Sequence, residues 1–199
     1  VGYGMTECAP LISYAPWDIN PVGSCGKIVT RMEGKIVLGE HETGELWVRG
    51  DNVMLGYYKN TEATAATFTD DGWLKTGDMG IVDAKGNVFI KGRCKNMILT
   101  GNGQNIYPEE IEDKINNLPY VVESLVVGRK NAIVALVVAD YEAGKKAGFD
   151  EQALDKLIND NVLALNAELA AYSKIGYTEI RRDAFEKTPK QSIKRYMYS

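Results

Sequence analysis

The chain has 199 residues, 45% hydrophobic and 25% charged, a mix that excludes collagen, coiled coil and wholesale disorder. It is long enough for one large domain or two small ones with real cores. Lys and Arg number 23 against 27 Asp and Glu, a formal charge of −4 without the overall basic footprint of a nucleic-acid binder, so no nucleic acid is expected as a partner.

Roughly the first 90 residues read as strands and turns. Asn20-Pro21 and the glycines at 23, 26, 34, 39, 44, 50 and 56 punctuate β-prone stretches such as Lys35–Leu38 and Glu45–Arg49, where Leu46 and Val48 alternate with Glu45, Trp47 and Arg49. The turn Asp83-Ala84-Lys85-Gly86-Asn87 before Val88-Phe89-Ile90 predicts a hairpin. The pattern changes near Gly92. Pro108-Glu109-Glu110-Ile111 predicts a helix start, with proline at the first position and two acids at the positive end of the dipole. Ile111, Ile115 and Leu118 then share one face. Two strands are expected over Val121–Val127 and Ala132–Ala139, and a helix over about Glu151 to Ala171 with Leu154, Ile158, Leu165 and Leu169 at helical spacing. The tail from Tyr177 reads as a strand, a loop and a short terminal piece. The expected fold class is α+β, with a junction near Ile90–Lys95.

Cys8, Cys25 and Cys94 are widely spaced and form neither a Cys-x-x-Cys pair nor a disulfide framework, which suits a reducing compartment. No apolar run approaches the ~18 residues of a spanning helix, and no amphipathic anchor is visible, so a cytoplasmic protein with at most peripheral membrane contact is expected. There is no Gly-x-Ser-x-Gly elbow, no Walker A pattern and no zinc cluster. The single histidine, His41, lies in Gly-Glu-His-Glu-Thr-Gly and reads as a solvated loop residue.

Four stretches stand out: Tyr3-Gly4-Met5-Thr6-Glu7; Gly44-Glu45-Leu46 through Thr76-Gly77-Asp78; Gly92-Arg93-Cys94-Lys95 through Glu110-Ile111-Glu112; and Thr188-Pro189-Lys190-Gln191-Ser192-Ile193-Lys194-Arg195. Each alone is weak. Together with Gly56-Tyr57-Tyr58-Lys59-Asn60-Thr61-Glu62-Ala63-Thr64, Asp71-Gly72-Trp73-Leu74-Lys75 and Asn105-Ile106-Tyr107-Pro108, they make the whole chain resemble the C-terminal part of the adenylate-forming acyl-CoA synthetases, a superfamily that includes luciferase and the adenylation domains of peptide synthetases. The ending resembles the long-chain fatty acid branch, although many relatives carry Ser-Gly-Lys where this chain has Ser192-Ile193-Lys194.

The resemblance implies a β-rich, partly barrel-like subdomain over 1–91, from the end of a large AMP-binding domain, and a small mobile α+β domain over 92–199. It implies two half-reactions: a fatty acid carboxylate attacks the α-phosphorus of ATP to give acyl-AMP and pyrophosphate, then coenzyme A takes the acyl group and AMP leaves. By resemblance Tyr3 lines the adenine pocket, Thr6 faces phosphate, Glu7 supports Mg²⁺, Asp78 holds the ribose hydroxyls and Arg93 contacts ribose or phosphate. Lys95 is the hinge, where many relatives carry Asp, and Gly101 and Gly103 border the coenzyme A path. Lys194 is the catalytic lysine, with Lys190 as the alternate. The segment from Arg181 to Arg195 holds six cations against two acids, as expected of a mobile basic loop aimed at a triphosphate. The family's phosphate loop lies upstream of Tyr3-Gly4, so the chain is expected to be a piece of a longer protein, to need that N-terminal domain as its partner, and to be inactive alone. Two other readings stay open: an aryl or amino acid adenylating enzyme that loads a carrier protein, and a non-catalytic binding module.

Overall fold

A computed structural model describes residues 1–16, 18, 21–38, 43–101, 103–130 and 132–198; His41 lies outside the described residues. The fold is α+β, and the chain divides into two compact units, Val1–Lys95 and Asn96–Ser199.

The N-terminal unit is built from two antiparallel sheets. β1 (Gly2–Gly4), β2 (Leu11–Tyr14) and β3 (Lys27–Ile28) form the first. β4 (Met32–Leu38), β5 (Gly44–Gly50), β6 (Leu74–Val82) and β7 (Val88–Arg93) form the second, a meander in chain order, with α1 (Thr61–Thr67) between β5 and β6. The alternation expected in β5 is present: Leu46 and Val48 are fully buried, and Glu45 and Trp47 lie on the other face, only partly buried. Cys8 and Ile12 from the first layer meet Met32, Leu46, Val48, Leu74 and Val88 from the second. Each fully buried Leu, Val or Ile there is worth roughly 1.5–3 kcal/mol. The hairpin between β6 and β7 forms where its turn predicts it, closed by the Asp83 carboxylate accepting the Lys85 and Asn87 amides at 2.9 and 2.8 Å. Among the described residues the sheets do not close into a barrel.

The C-terminal unit opens with a hairpin of β8 (Ile98–Leu99) and β9 (Asn105–Ile106), followed by α2 (Pro108–Asn116). β10 (Val121–Arg129) and β11 (Ala132–Ala139) pair antiparallel. α3 (Tyr141–Lys146) and α4 (Glu151–Ala164) then carry the chain to β12 (Ile175–Arg181), which adds parallel to β11. β11 is buried on both faces, which explains its unbroken apolar run. Ile133, Ala135 and Val137 face α2 and α4, where Ile111, Ile115, Leu154 and Ile158 complete one core. Val134, Leu136 and Val138 face the tail, which supplies Phe185, Ile193 and Tyr198.

The long helix ends at Ala164, short of the expected Ala171. Asn166 is the cause. Its side chain accepts the Ile175 amide at 2.7 Å and donates to the Ile175 carbonyl at 2.9 Å, an extra rung at the start of β12 that the helix cannot keep. Leu165, in the 3₁₀ turn Leu165–Ala167, and Leu169, between that turn and a second at Ala171–Ser173, still pack on the core.

Candidate functional site

Asp78 sits where β6 departs from regular pairing. Glu45 faces Met79 and Trp47 faces Lys75, so Leu46 alone opposes Thr76, Gly77 and Asp78. This is a bulge, and it re-aims the side chains that follow it. Gly77 takes φ +73°, a conformation that glycine adopts without strain. The Glu45 carboxylate accepts the Gly77 amide at 2.8 Å and the Trp47 indole N–H at 2.8 Å, and the Thr76 hydroxyl donates to the Leu46 carbonyl at 2.7 Å. These contacts fix the bulge from three sides.

The result is a buried carboxylate held at both oxygens. The Asp78 side chain is 8% exposed; Arg93, its cross-strand partner in β7, donates from Nε to Oδ1 at 2.8 Å. From β1, the Tyr3 hydroxyl donates to Oδ2 at 2.5 Å. Burial, and then the Asp78 charge, push the Tyr3 phenol well above its usual range, so it stays a donor. Cys94 follows Arg93, and burial with the charges of Glu45 and Asp78 pushes its thiol up to about 11, which keeps it protonated at neutral pH. The structure thus brings Tyr3, Asp78 and Arg93 into one cluster.

Glu7 forms a second cluster on the 3₁₀ turn Thr6–Cys8. The Tyr57 hydroxyl donates to Glu7 Oε1 at 2.9 Å, and the Met54 amide donates to the Glu7 carbonyl at 2.8 Å. The hydrogen bond to Glu7 also raises the Tyr57 pKa. Asn52 straps the same turn by donating to the Cys8 carbonyl at 2.7 Å and the Leu11 carbonyl at 2.9 Å. Thr6 is exposed beside it. No group of three His, Cys, Asp or Glu capable of caging a metal is found among the described residues. Among the described residues only Oε1 of the Glu7 carboxylate accepts a hydrogen bond, an arrangement that fits Mg²⁺, an ion commonly held by one or two carboxylates together with substrate phosphates.

Lys95 is exposed in the 3₁₀ turn Cys94–Asn96, directly after β7. Gly101 and Gly103 lie exposed in the turn that joins β8 to β9; Gly103 takes φ +77°, and a side chain at either position would meet open space. The turn is closed by Thr100, whose carbonyl accepts the Gly103 amide and whose hydroxyl accepts the Gln104 amide, both at 2.9 Å.

In the basic tail, expected as a mobile loop, most of the charges hold partners. Arg182 pairs with Glu151, Lys187 with Glu123 at 2.7 Å, Lys194 with Glu186 at 3.6 Å, and Arg195 with Glu112. The Arg181 guanidinium lies over the Phe185 and Tyr198 rings. The physical reason is that acids from three elements, Glu151 of α4, Glu123 of β10 and Glu112 of α2, together with Glu186 of the tail itself, come within reach of these cations while Phe185, Ile193 and Tyr198 cover the apolar sheet. Lys187 and Ile193 bridge across a tight turn, with Lys190 exposed near its tip. Arg195 and Glu112 were not foreseen as a pair; residues 83 apart in sequence leave no local signature. Tyr57 and Glu45 were also missed, although both lie inside motifs that the sequence already offered.

Comparison with known proteins gives the family. A family model for AMP-binding enzymes matches residues 1–58, and one for the AMP-binding enzyme C-terminal domain matches residues 95–198. A long-chain-fatty-acid–CoA ligase of Salmonella typhimurium is 45% identical over 160 residues, covering 77% of this chain and 28% of its own length. A 2-succinylbenzoate–CoA ligase of Bacillus pumilus is 44% identical over 133 residues, covering 63% of this chain and 27% of its own. Among solved structures, the O-succinylbenzoate coenzyme A synthetase of Bacillus subtilis in complex with AMP superposes with a TM-score of 0.80 at 28% identity, covering 99% of this chain and 40% of that one. The chain therefore spans between a quarter and two fifths of the length of these relatives. With both family models matched in order, and the second covering more than half of it, the chain belongs to the AMP-binding, adenylate-forming enzymes and carries their C-terminal domain.

Proposed function

We propose that the complete protein is an ATP-dependent ligase that joins a long-chain fatty acid to coenzyme A through an acyl-AMP intermediate. The observation that carries the reading is Asp78, a buried carboxylate fixed between Tyr3 and Arg93. A vicinal diol needs an acceptor of this kind, since each carboxylate oxygen can accept more than one hydrogen bond. Tyr3 would then serve twice, its hydroxyl orienting Asp78 and its ring lying against the adenine. Arg93 spends Nε on Asp78, and its half-exposed guanidinium offers further donors to ribose or phosphate. Glu7 would hold Mg²⁺, which when bound neutralises phosphate charge; Tyr57 fixes the carboxylate that faces it, and Thr6 donates to a phosphate oxygen. Lys194, or Lys190, supplies a cation to the transferring group in adenylation. Gly101 and Gly103 leave room for the coenzyme A arm. Lys95 is the hinge for the second half-reaction, and a cytoplasmic location with at most peripheral membrane contact goes with this chemistry.

Long-chain specificity rests on the Salmonella relative and on the tail sequence. The 2-succinylbenzoate ligase, nearly as similar, favours an aryl acid as the second reading. The test uses the complete protein and follows pyrophosphate exchange and coenzyme A thioester formation against a series of fatty, aryl and amino acids. The expected result is fastest turnover with fatty acids of long chain. Preference for an aryl acid selects the second reading, and exchange with an amino acid but no coenzyme A product points to carrier loading. Absence of exchange with every acid leaves a non-catalytic module. Within the active protein, Lys194→Ala and Lys190→Ala are compared. The catalytic lysine is the one whose loss abolishes pyrophosphate exchange while thioester formation from supplied acyl-AMP survives.

A further inference from the structure

The tail that bears Lys190 and Lys194 is anchored by a polar network inside the C-terminal unit. Glu112, on the inner face of α2, is 10% exposed at its side chain. Its Oε1 accepts the Val126 amide of β10 at 2.7 Å, and its Oε2 accepts Arg195. Glu109, one turn earlier, brings Oε1 within 3.7 Å of the same guanidinium, and that oxygen also accepts Asn96 Nδ2 at 2.6 Å. Its Oε2 is buried and has no hydrogen-bond partner among the described residues. Arg195 also reaches the Val126 carbonyl at 3.5 Å. One guanidinium thus serves two partly buried acids that would otherwise repel each other.

We infer that Arg195, gripped by Glu112 and Glu109, is a positioning residue for adenylation that fixes the strap carrying Lys190 and Lys194 against α2 and β10. The inference rests on the ligase reading above. Arg195 follows Lys194 directly, so the two Cα atoms lie about 3.8 Å apart and the lysine backbone goes where the arginine is held. The same strap closes on itself, since the Lys194 amide donates to the Glu186 carbonyl at 2.8 Å and the Thr188 amide donates to the Ser192 carbonyl at 2.8 Å. The turn tip at Lys190 is therefore placed by the same grip. The apolar anchors Phe185, Ile193 and Tyr198 cover the sheet independently of Arg195, and Arg129 holds the Tyr198 carbonyl at 2.7 Å. Loss of Arg195 should loosen the strap without stripping the core.

The test uses the complete protein with its best acid. Wild-type pyrophosphate exchange is measured first, and its absence defeats the ligase reading regardless of Arg195. Arg195→Met is expected to lower kcat for exchange about tenfold or more, with KM for ATP and thioester formation from supplied acyl-AMP each within about twofold. Arg195→Lys, which keeps the charge and loses the fork, should recover part of the rate. Arg182→Met, at an exposed pair, is the control and should match wild type. Proportionate loss of both half-reactions in Arg195→Met would assign Arg195 a structural role only, and no loss in either would remove it from the mechanism. If Arg195→Met does not fold, Arg195→Lys decides alone: a partial loss confined to exchange supports the inference, and an equal loss in both steps, or none, overturns it.

Discussion

Asp78 is a charged side chain in a buried place, where apolar residues predominate, and two neighbours of different character offset its desolvation. The Arg93 guanidinium supplies charge, and the Tyr3 hydroxyl supplies a short neutral donor. Asp78→Asn removes the charge and turns half of the group into a donor that faces other donors. Hydrogen bonds to charged groups contribute about 1.5–3 kcal/mol, so AMP affinity of the complete protein is expected to fall at least about tenfold. Tyr3→Phe removes one orienting bond and should cost about fivefold. Calorimetric titration with AMP reads both, and wild-type affinity in Asp78→Asn would exclude Asp78 from the ribose. At this scale the sequence was informative wherever a side chain sits inside a contiguous motif, as Tyr3, Asp78 and Arg93 do. It was silent on Arg195 and Glu112, whose pairing exists only after β10, α2 and the tail have packed together.

The elements were legible where periodicity was strong and less so where a side chain competed with the backbone. β5, β10, β11 and α2 follow from their apolar patterns, whereas α1 and α3 passed unread. Both are short helices announced mainly by caps: Asn60 Oδ1 accepts the Ala63 amide at 3.0 Å and Asp140 Oδ1 accepts the Ala143 amide at 2.9 Å. The β6 bulge was equally invisible, because Thr76-Gly77-Asp78 reads as a plain turn until its partners in β5 are known. Gly77→Ala places a Cβ at φ +73°, and its expected cost is about 1–2 kcal/mol of stability in urea unfolding. In α2, burial holds Glu112 above the ordinary 4.5 of a glutamate, with Arg195 pulling it back down. The folded state then binds the proton more tightly than the unfolded state does. Its contribution to stability is full below about 4.5 and is lost as pH rises through the raised value. Thermal midpoints of wild type and Glu112→Gln, followed upward from pH 4.5, should show the wild type losing stability relative to the variant over that window. A constant difference across the window would place the carboxylate at its ordinary pKa.

At the scale of the whole molecule, two units meet in sequence at Lys95 and Asn96, and the family's C-terminal domain model begins at residue 95. Each unit closes its own core, and Lys95 belongs to neither core. A residue at such a point can change φ and ψ without breaking a sheet, and Lys95 is exposed in a single 3₁₀ turn that imposes little on it. Proline at this position fixes φ near −65° and removes the amide donor, while leaving both cores intact. If Lys95 must rotate between the two half-reactions, Lys95→Pro holds one arrangement and penalises the other. In the complete protein, pyrophosphate exchange is expected to stay within about twofold while thioester formation from supplied acyl-AMP slows about tenfold or more. Lys95→Ala, which loses the charge and keeps the rotation, separates the two explanations, since it should leave both steps near wild type. Slowing in Lys95→Ala equal to that in Lys95→Pro would mean that the ammonium group matters rather than the backbone. Normal rates for both half-reactions in Lys95→Pro would mean that the hinge lies elsewhere in the chain.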